Sequence, residues 1–319
     1  MKEKIFNMPK VELHLHLDGS LSIDLLQELS GLTEEEIRGK AISHNSDSLS
    51  SYLKCFDFIN QYLQTEEALE MASYDLVQRL EKENVIYAEI RFAPILHTNN
   101  GLLLDEVVEA VLRGLNKGRI KTNLILCLKR GDSKENNYEI IKLANKYLGK
   151  GVCAVDLVGD EDHYPFVNYK SLFNTCRGAC IPFTIHAGET GIRDLYEVIH
   201  YTKRIGHGIK CVDDNNLVQK IIDRNVLLEV CPNSNIDTKN ALNYSSHPIK
   251  KLYDLGVKVC INTDNTLVSD ITLNEEYYNL YHYFNFTIDD FKRMNIYALE
   301  KAFISDEERG KLIDIINKY

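Results

Sequence analysis

The feature that most constrains the fold is a pattern that recurs along the chain. A short apolar run rich in β-branched residues ends in a polar residue or glycine, and a helical segment follows. The runs lie at residues 11–17, 85–92, 122–128, 152–158, 182–186, 204–207, 226–231 and 258–263. Several are nearly continuous in apolar residues, which is typical of parallel strands covered on both faces. Eight strands alternating with helices predict an α/β protein, a closed TIM (β/α)8 barrel rather than an open doubly wound sheet.

One interval between strands is much longer than the others. Most strand starts are separated by about 30 residues, which is enough for one right-handed crossover. The interval after the first strand instead contains helical segments at 22–29, 33–39 and 49–63. We therefore predict that residues 18–84 form a helical lid over the mouth of the barrel. Residues 287–303 and 306–317 are predicted as C-terminal helices.

No low-complexity run or linker divides the chain, so residues 1–319 are predicted to form a single domain. The formal net charge of −10 argues against sequence-blind binding to nucleic acid or anionic membranes. The first residues contain no apolar stretch of signal-peptide length. The 8 cysteines are scattered without a CxxC pair, and we expect reduced thiols in the core of a cytoplasmic protein. No obligate protein partner is evident.

Polar side chains interrupt this apolar pattern where strands end. His14 and His16 end the first run, His186 the fifth, His207 the sixth, and Asp264 the eighth. Residues two apart on a strand point to the same side, so the first two imidazoles share a face. Active sites of such barrels lie at the C-terminal ends of the strands. The sequence therefore predicts that these five side chains meet at one rim.

Three imidazoles and a carboxylate form a ligand set suited to Zn²⁺, with open positions for water. A bound zinc ion lowers the pKa of water enough to supply a nucleophile near neutral pH. Glu189, three residues after His186, can reach the same pocket as a proton donor, and His207 can orient or deprotonate the water. Cys231 is a further candidate ligand, although a buried thiol beside Pro232 is the favoured interpretation. The remaining histidines are predicted to be surface or capping residues: His44, His97, His163, His200, His247 and His282.

Other common catalytic signatures are absent from the sequence. There is no HExxH motif of zinc proteases and no H-x-E…P-C-x-x-C signature of the nucleobase deaminases. Neither glycine-rich phosphate-binding loop, G-x-x-x-x-G-K-[ST] or G-x-G-x-x-G, occurs.

Six motifs, taken together and in order, resemble the adenosine deaminase family of the amidohydrolase superfamily. They are MPKVELHLHLDGSL, DLVGDE, TIHAGET, RIGHGI, EVCPNSN and INTDN. The resemblance implies an eight-stranded barrel that converts adenosine and 2′-deoxyadenosine to inosine and 2′-deoxyinosine, with release of ammonia. It also implies one catalytic zinc ion per chain, held by His14, His16, His186 and Asp264.

The same resemblance implies roles for the residues that contact substrate. Glu189 would protonate purine N1, and His207 would position the attacking water. The substrate-binding residues would be His16, Asp18 for the ribose 5′-hydroxyl, Gly159 for purine N3 and Asn265 for purine N7. Many family members carry a second Asp where this chain has Asn265. An amide donates a hydrogen bond at any pH, whereas a carboxyl group donates only when protonated, so the substitution preserves the role.

Three alternatives remain at this point. Adenine and aminofutalosine deaminases of the superfamily typically carry Glu at the position of Asp18, and methyl-AMP deaminases carry Asn, so free nucleosides fit best among 6-aminopurines. A binuclear amidohydrolase needs a bridging ligand, usually a modified Lys, at the end of the fourth strand, where this chain has Val158-Gly159-Asp160. A catalytically inactive nucleoside-binding protein would be expected to lack a metal ligand or Glu189.

Overall fold

The computed structural model describes residues 1–43 and 49–319, and the side chains of residues 49–51 and 53 also lie outside the description. His44 and residues 44–48 of the predicted lid are therefore not discussed further. Within the described residues, no helix is long and apolar enough to cross a membrane.

The described residues form eight parallel strands in two four-stranded sheets, with β1 to β4 in one and β5 to β8 in the other. The strands are β1 (Lys10–His16), β2 (Val85–Phe92), β3 (Lys121–Lys129), β4 (Val152–Val158), β5 (Ile185–Ala187), β6 (Arg204–His207), β7 (Leu227–Val230) and β8 (Lys258–Ile261). Each predicted run thus contains a strand. The fifth strand begins later than predicted because Phe183 makes only an isolated bridge to β4.

Two isolated bridges join the sheets into a closed barrel. Val155 of β4 pairs with Phe183 before β5, and Leu15 of β1 pairs with Asp264 after β8. At the second seam, the Asp264 N–H donates to the His14 carbonyl at 2.9 Å, and the His16 N–H donates to the Asp264 carbonyl at 2.7 Å. The predicted TIM barrel is confirmed, and backbone groups of candidate metal ligands close it.

Helices cover the outside of the strands and also form both ends of the chain. They are α1 (Lys2–Asn7), α2 (Ile23–Ser30), α3 (Glu34–Ala41), α4 (Leu49–Asn60), α5 (Glu66–Lys82), α6 (Leu104–Leu115), α7 (Lys134–Tyr147), α8 (Lys170–Gly178), α9 (Leu195–Val198), α10 (Asn215–Asp223), α11 (Pro232–Asp237), α12 (Ile249–Asp254), α13 (Leu273–Phe284), α14 (Ile288–Lys301) and α15 (Asp306–Lys318). Four of them, α2 to α5, lie between β1 and β2. A capping box begins α13, since Thr272 and Glu275 bond reciprocally.

The interior of the barrel is polar, although its outer faces pack apolar side chains against the helices. Arg91 pairs with Asp156 at 2.5 Å, and Arg204 pairs with Glu229 at 2.6 Å and also with Glu89. All five are buried. Buried charges are tolerated when they are paired, so these ion pairs fill the space beneath the strand ends.

Candidate active site

Four predicted ligands converge at the C-terminal rim of the barrel. Each of His14, His16, His186 and Asp264 offers one ligand atom, and these atoms all lie within 4.8 Å of one another. The Nε2 atoms of His16 and His186 are 3.4 Å apart. Asp264 Oδ1 lies 3.5 Å from the Nε2 atoms of both His14 and His16. Tetrahedral bonds of about 2.0–2.1 Å would separate ligand atoms by roughly 3.3–3.4 Å, so the spacing fits one zinc ion.

The backbone at two strand ends bends sharply to direct these side chains. Asp264 has φ of +63° and His207 has φ of +62°. Residues other than glycine rarely adopt the left-handed region, and such strain concentrates at functional sites. The turn after each strand therefore aims its polar side chain toward the rim.

Two of the imidazoles are oriented by buried carboxylates. His14 Nδ1 lies 3.0 Å from Glu229 Oε2, and His186 Nδ1 lies 2.9 Å from Asp156 Oδ2. A proton on Nδ1 leaves the Nε2 lone pair for a metal ion. Burial lowers the pKa of His14 to about 4, so its imidazole is neutral, as metal binding requires. Among the described residues, the buried Nε2 of His14 has no hydrogen-bond partner, which is further support for a cation there.

The charge of the barrel interior also fits a divalent cation. Burial opposes ionisation of Asp156, but His186 and Arg91 hold its pKa below the ordinary value. Burial likewise opposes ionisation of Glu229 and Asp264, but Arg204 and Arg91 hold the pKa of Glu229, and His14 that of Asp264, well below the ordinary value. These carboxylates therefore stay negative, as binding of a cation requires.

The two predicted catalytic side chains lie beside this cluster. Glu189 Oε2 is 3.6 Å from His207 Nε2, which lies 3.9 Å from Asp264 Oδ2. The hydroxyl of Thr238 and the amide of Asn240 each donate to Glu189 Oε1 at 3.2 Å. The structure therefore brings an acid and an imidazole together within reach of the same space.

Asn235 and Ser234, which sequence reasoning left without a role, fix two members of the site. The amide nitrogen of Asn235 lies 3.1 Å from His207 Nδ1. The hydroxyl of Ser234 donates to Asp264 Oδ2 at 2.6 Å. Both lie in the CPNSN motif, so the position of this motif after β7 was the available signal.

The predicted substrate-binding residues occupy the surrounding rim. Asp18 is buried in a short 3-10 helix after β1, with Oδ1 3.9 Å from His16 Nδ1. Asn265 follows Asp264 and donates from its amide to the hydroxyl of Tyr52, 2.9 Å away. Gly159 lies at the end of β4 with φ of +105°, a conformation that favours glycine.

Cys231 takes part in a second possible ligand group, with His207 and Asp264. Burial raises the pKa of its thiol well above the ordinary value, and Sγ donates instead to the Glu229 carbonyl at 3.7 Å. The thiolate is the form that binds metals, so the group of three histidines and Asp264 is the better site.

Two of the remaining histidines were wrongly predicted to be surface or capping residues. His97 is fully buried, donates from Nδ1 to the Leu63 carbonyl and places Nε2 4.0 Å from Asp18 Oδ2. His247 is also buried, against Asn235. His97 follows β2, so its place near a strand end was a usable signal, whereas nothing local marked His247. Among the cysteines, Cys180 is exposed, contrary to its predicted place in the core.

A closed parallel barrel whose strand ends gather imidazoles and a carboxylate defines the amidohydrolase class of enzymes. The adenosine deaminase family model matches residues 9–319, and the chain belongs to the adenosine deaminase family. The protein is thus a hydrolytic deaminase.

Named relatives agree with this assignment. The chain is 40% identical to the adenosine deaminase of Clostridium acetobutylicum, over 98% of each chain. Its fold matches the N6-methyl-AMP deaminase of Arabidopsis thaliana with a TM-score of 0.88 and 24% identity, covering 100% of this chain and 98% of the other. It matches the adenine deaminase of Arthrobacter aurescens with a TM-score of 0.86 and 25% identity, covering 98% of each.

Proposed function

We propose that the chain hydrolyses adenosine and 2′-deoxyadenosine to inosine and 2′-deoxyinosine. One water is consumed and one ammonia is released. The observation that carries this proposal is the placement of Glu189 and His207 beside the cluster of three histidines and Asp264. The 40% identity to an adenosine deaminase over nearly the whole chain supports it.

We propose zinc as the metal, held by His14, His16, His186 and Asp264. Three nitrogens and one carboxylate oxygen are ligands that zinc accepts in catalytic sites. When bound, zinc supplies Lewis acidity that lowers the pKa of water toward neutrality. The remaining steps belong to the side chains of the chain itself.

His207 orients the water for attack on C6 of the purine. With Asn235 donating to Nδ1, the neutral imidazole carries its proton on Nε2. That nitrogen faces Glu189 and Asp264. This tautomer donates a hydrogen bond to the water oxygen, which suits positioning the water over removing its proton.

Glu189 delivers a proton to purine N1. Thr238 and Asn240 donate to its Oε1, so Oε2 is the oxygen that is left to carry the proton. As N1 is protonated, the ring accepts an electron pair and C6 becomes tetrahedral. The Glu189 carboxylate that remains then takes one proton of the attacking water. The second proton of that water passes from the new C6 hydroxyl to the exocyclic nitrogen as the C6–N bond breaks, so the group departs as ammonia and C6 becomes a carbonyl.

Three residues are assigned to substrate recognition. Asp18 accepts a hydrogen bond from the ribose 5′-hydroxyl, Asn265 donates to N7, and the N–H of Gly159 faces N3. AMP would bring a phosphate against the Asp18 carboxylate, which is an unfavourable like-charge contact. Adenine, the main alternative substrate, lacks the ribose and would leave Asp18 unpaired at a cost of about 1–3 kcal/mol.

Residues 18–84 are assigned as a lid over this site, within a single domain of residues 1–319. Its helix α4 carries Tyr52, which contacts Asn265. A closed lid would exclude water and strengthen the electrostatic interactions inside the pocket.

The test compares ammonia release from adenosine, 2′-deoxyadenosine, adenine and AMP, with metal analysis of the same purified protein. We expect both nucleosides to exceed adenine and AMP in kcat/KM, and one zinc per chain. Glu189→Gln should lower kcat by about 10²- to 10⁴-fold while zinc stays bound. Near-normal turnover by that variant would remove the proton-donor role, and a preference for adenine or AMP would overturn the substrate assignment.

A further inference from the structure

The geometry points to Arg91 as a positioning residue that holds two of the metal-ligating histidines at once. It acts through the carboxylates of Asp156 and Glu229. The inference rests on the metal site of the proposed function, but it depends on no step of the deamination.

The contacts of Arg91 converge on the two oxygens that orient the histidines. Its guanidinium donates to Asp156 Oδ2 at 2.5 Å and to Glu229 Oε2 at 2.8 Å. Asp156 Oδ2 is the oxygen 2.9 Å from His186 Nδ1, and Glu229 Oε2 is the oxygen 3.0 Å from His14 Nδ1. One planar group thus bridges the partners of two ligands.

The guanidinium fixes the separation of those oxygens because its donors have a rigid geometry. Arginine presents its N–H groups as a planar fork, whereas a lysine ammonium is a single point with rotatable donors. Arg91 also donates to the Leu13 carbonyl of β1. The side chains of Arg91, Asp156 and Glu229 are fully buried, so solvent cannot readily replace a lost contact.

The same side chain connects several strands beneath the candidate metal site. Arg91 lies on β2, Asp156 on β4 and Glu229 on β7, while the two histidines lie on β1 and β5. The angle between the two imidazoles therefore depends on one guanidinium. Altering the hydrogen-bond partner of a metal-bound histidine typically lowers metal affinity by about 10- to 100-fold.

Arg204 offers a matched control within the same network. It is buried to nearly the same degree, and it bonds Glu229 through the other oxygen, Oε1, at 2.6 Å. Its other carboxylate partner is Glu89, which forms no ion pair with the four ligand side chains within the described part of the chain. Replacing Arg204 disturbs a buried ion pair. The two carboxylate oxygens that contact His14 and His186 stay bonded to Arg91.

The experiment measures Zn²⁺ affinity of Arg91→Lys and Arg204→Lys by competition with a chromophoric chelator. Circular dichroism and urea unfolding of each metal-free protein control for folding. We expect Arg91→Lys to bind Zn²⁺ about 10- to 100-fold more weakly and Arg204→Lys to stay within about threefold of wild type. The visible absorption of the Co²⁺-loaded proteins should change for Arg91→Lys only, because that spectrum reports ligand geometry.

Equal affinities for wild type and Arg91→Lys, or equal losses in both variants, would overturn the inference. If Arg91→Lys does not fold, Asp156→Asn tests the same link: it should weaken Zn²⁺ binding and alter the Co²⁺ spectrum, and wild-type values would contradict the role. These measurements are separate from turnover. If the protein binds zinc normally but does not deaminate adenosine, the proposed function is refuted. The zinc affinities of the variants would still test the role of Arg91.

Discussion

The hydroxyl of Tyr52 accepts a hydrogen bond from the side-chain amide of Asn265 over 2.9 Å. Tyr52 lies on α4, within the long insertion after β1, and Asn265 directly follows Asp264. The insertion therefore touches the group assigned to purine N7, so its position and substrate binding should be linked.

Tyr52→Phe should raise KM for adenosine several-fold while changing kcat less. The variant removes one hydrogen bond, worth about 0.5–1.5 kcal/mol, that fixes the Asn265 amide. Steady-state kinetics give both constants. Tyr62→Phe, on a half-buried tyrosine just after α4, is the matched control and should leave KM unchanged. Equal KM values for both variants and wild type would show that the contact does not orient the amide.

Gly19→Ala should impair substrate binding through Asn265 as well. A Cβ at Gly19 would lie 2.0 Å from Asn265 Oδ1, so the amide would have to move. We expect KM to rise by about tenfold or more, since one lost substrate hydrogen bond costs about 1–3 kcal/mol. Gly39→Ala is the control, because a Cβ there meets no described atom within 4 Å. An unchanged KM in Gly19→Ala would mean that Asn265 does not bind the base.

Asn265→Asp should retain activity but acquire a pH-dependent affinity. Purine N7 is an acceptor, so the introduced carboxyl group can bond it only when protonated. KM should rise with pH through the pKa of the new carboxyl group, while the wild-type amide donates throughout. The measurement is KM for adenosine over a range of pH in both proteins. A flat ratio of the two KM values would count against the assignment of N7 to Asn265.

Glu276 should make the protein less stable as pH rises. Burial raises the pKa of its carboxyl group to about 8, from the ordinary 4.5. Between these values the folded protein binds the proton and the unfolded chain does not, so the free energy of unfolding falls as pH increases. Each pKa unit corresponds to about 1.4 kcal/mol, so the total loss is on the order of a few kcal/mol.

Urea unfolding of wild type and Glu276→Gln, at about pH 5 and about pH 8.5, measures this effect as a difference between proteins. The backbone N–H of Asn233 and the hydroxyl of Tyr244 donate to the Glu276 carboxyl group, and Gln retains one acceptor for them. The variant should lose less stability at high pH than wild type. If the free energy of unfolding changes with pH equally in the two proteins, the pKa of Glu276 is not raised.

The rim of the barrel was predictable because strand ends carry its polar residues. His14, His186, His207 and Asp264 each end an apolar run, and all strands of a parallel barrel finish at one rim. Sequence spacing alone was therefore enough to bring them together. The resemblance of the motifs then gave each residue a role.

The buried ion pairs beneath that rim were not predictable from the same patterns. Arg91, Asp156 and Glu229 are charged residues inside apolar runs, which marks them as unusual. Which carboxylate faces which histidine depends on strand register and on pairing across the barrel, and neither is encoded locally. The contact of Tyr52 with Asn265 likewise depends on how the insertion crosses the mouth, over 213 residues of separation.

The seam between β8 and β1 has a consequence for how an ion at the candidate metal site would be gained and lost. There the main-chain amides of Asp264 and His16 bond across the gap, while the side chains of the same two residues belong to the candidate metal cluster. Separating the first strand from the last would pull two ligands apart. Departure of the cation and transient opening of the cylinder should therefore occur as one event, and faster hydrogen exchange at these two amides after chelation would be its signature.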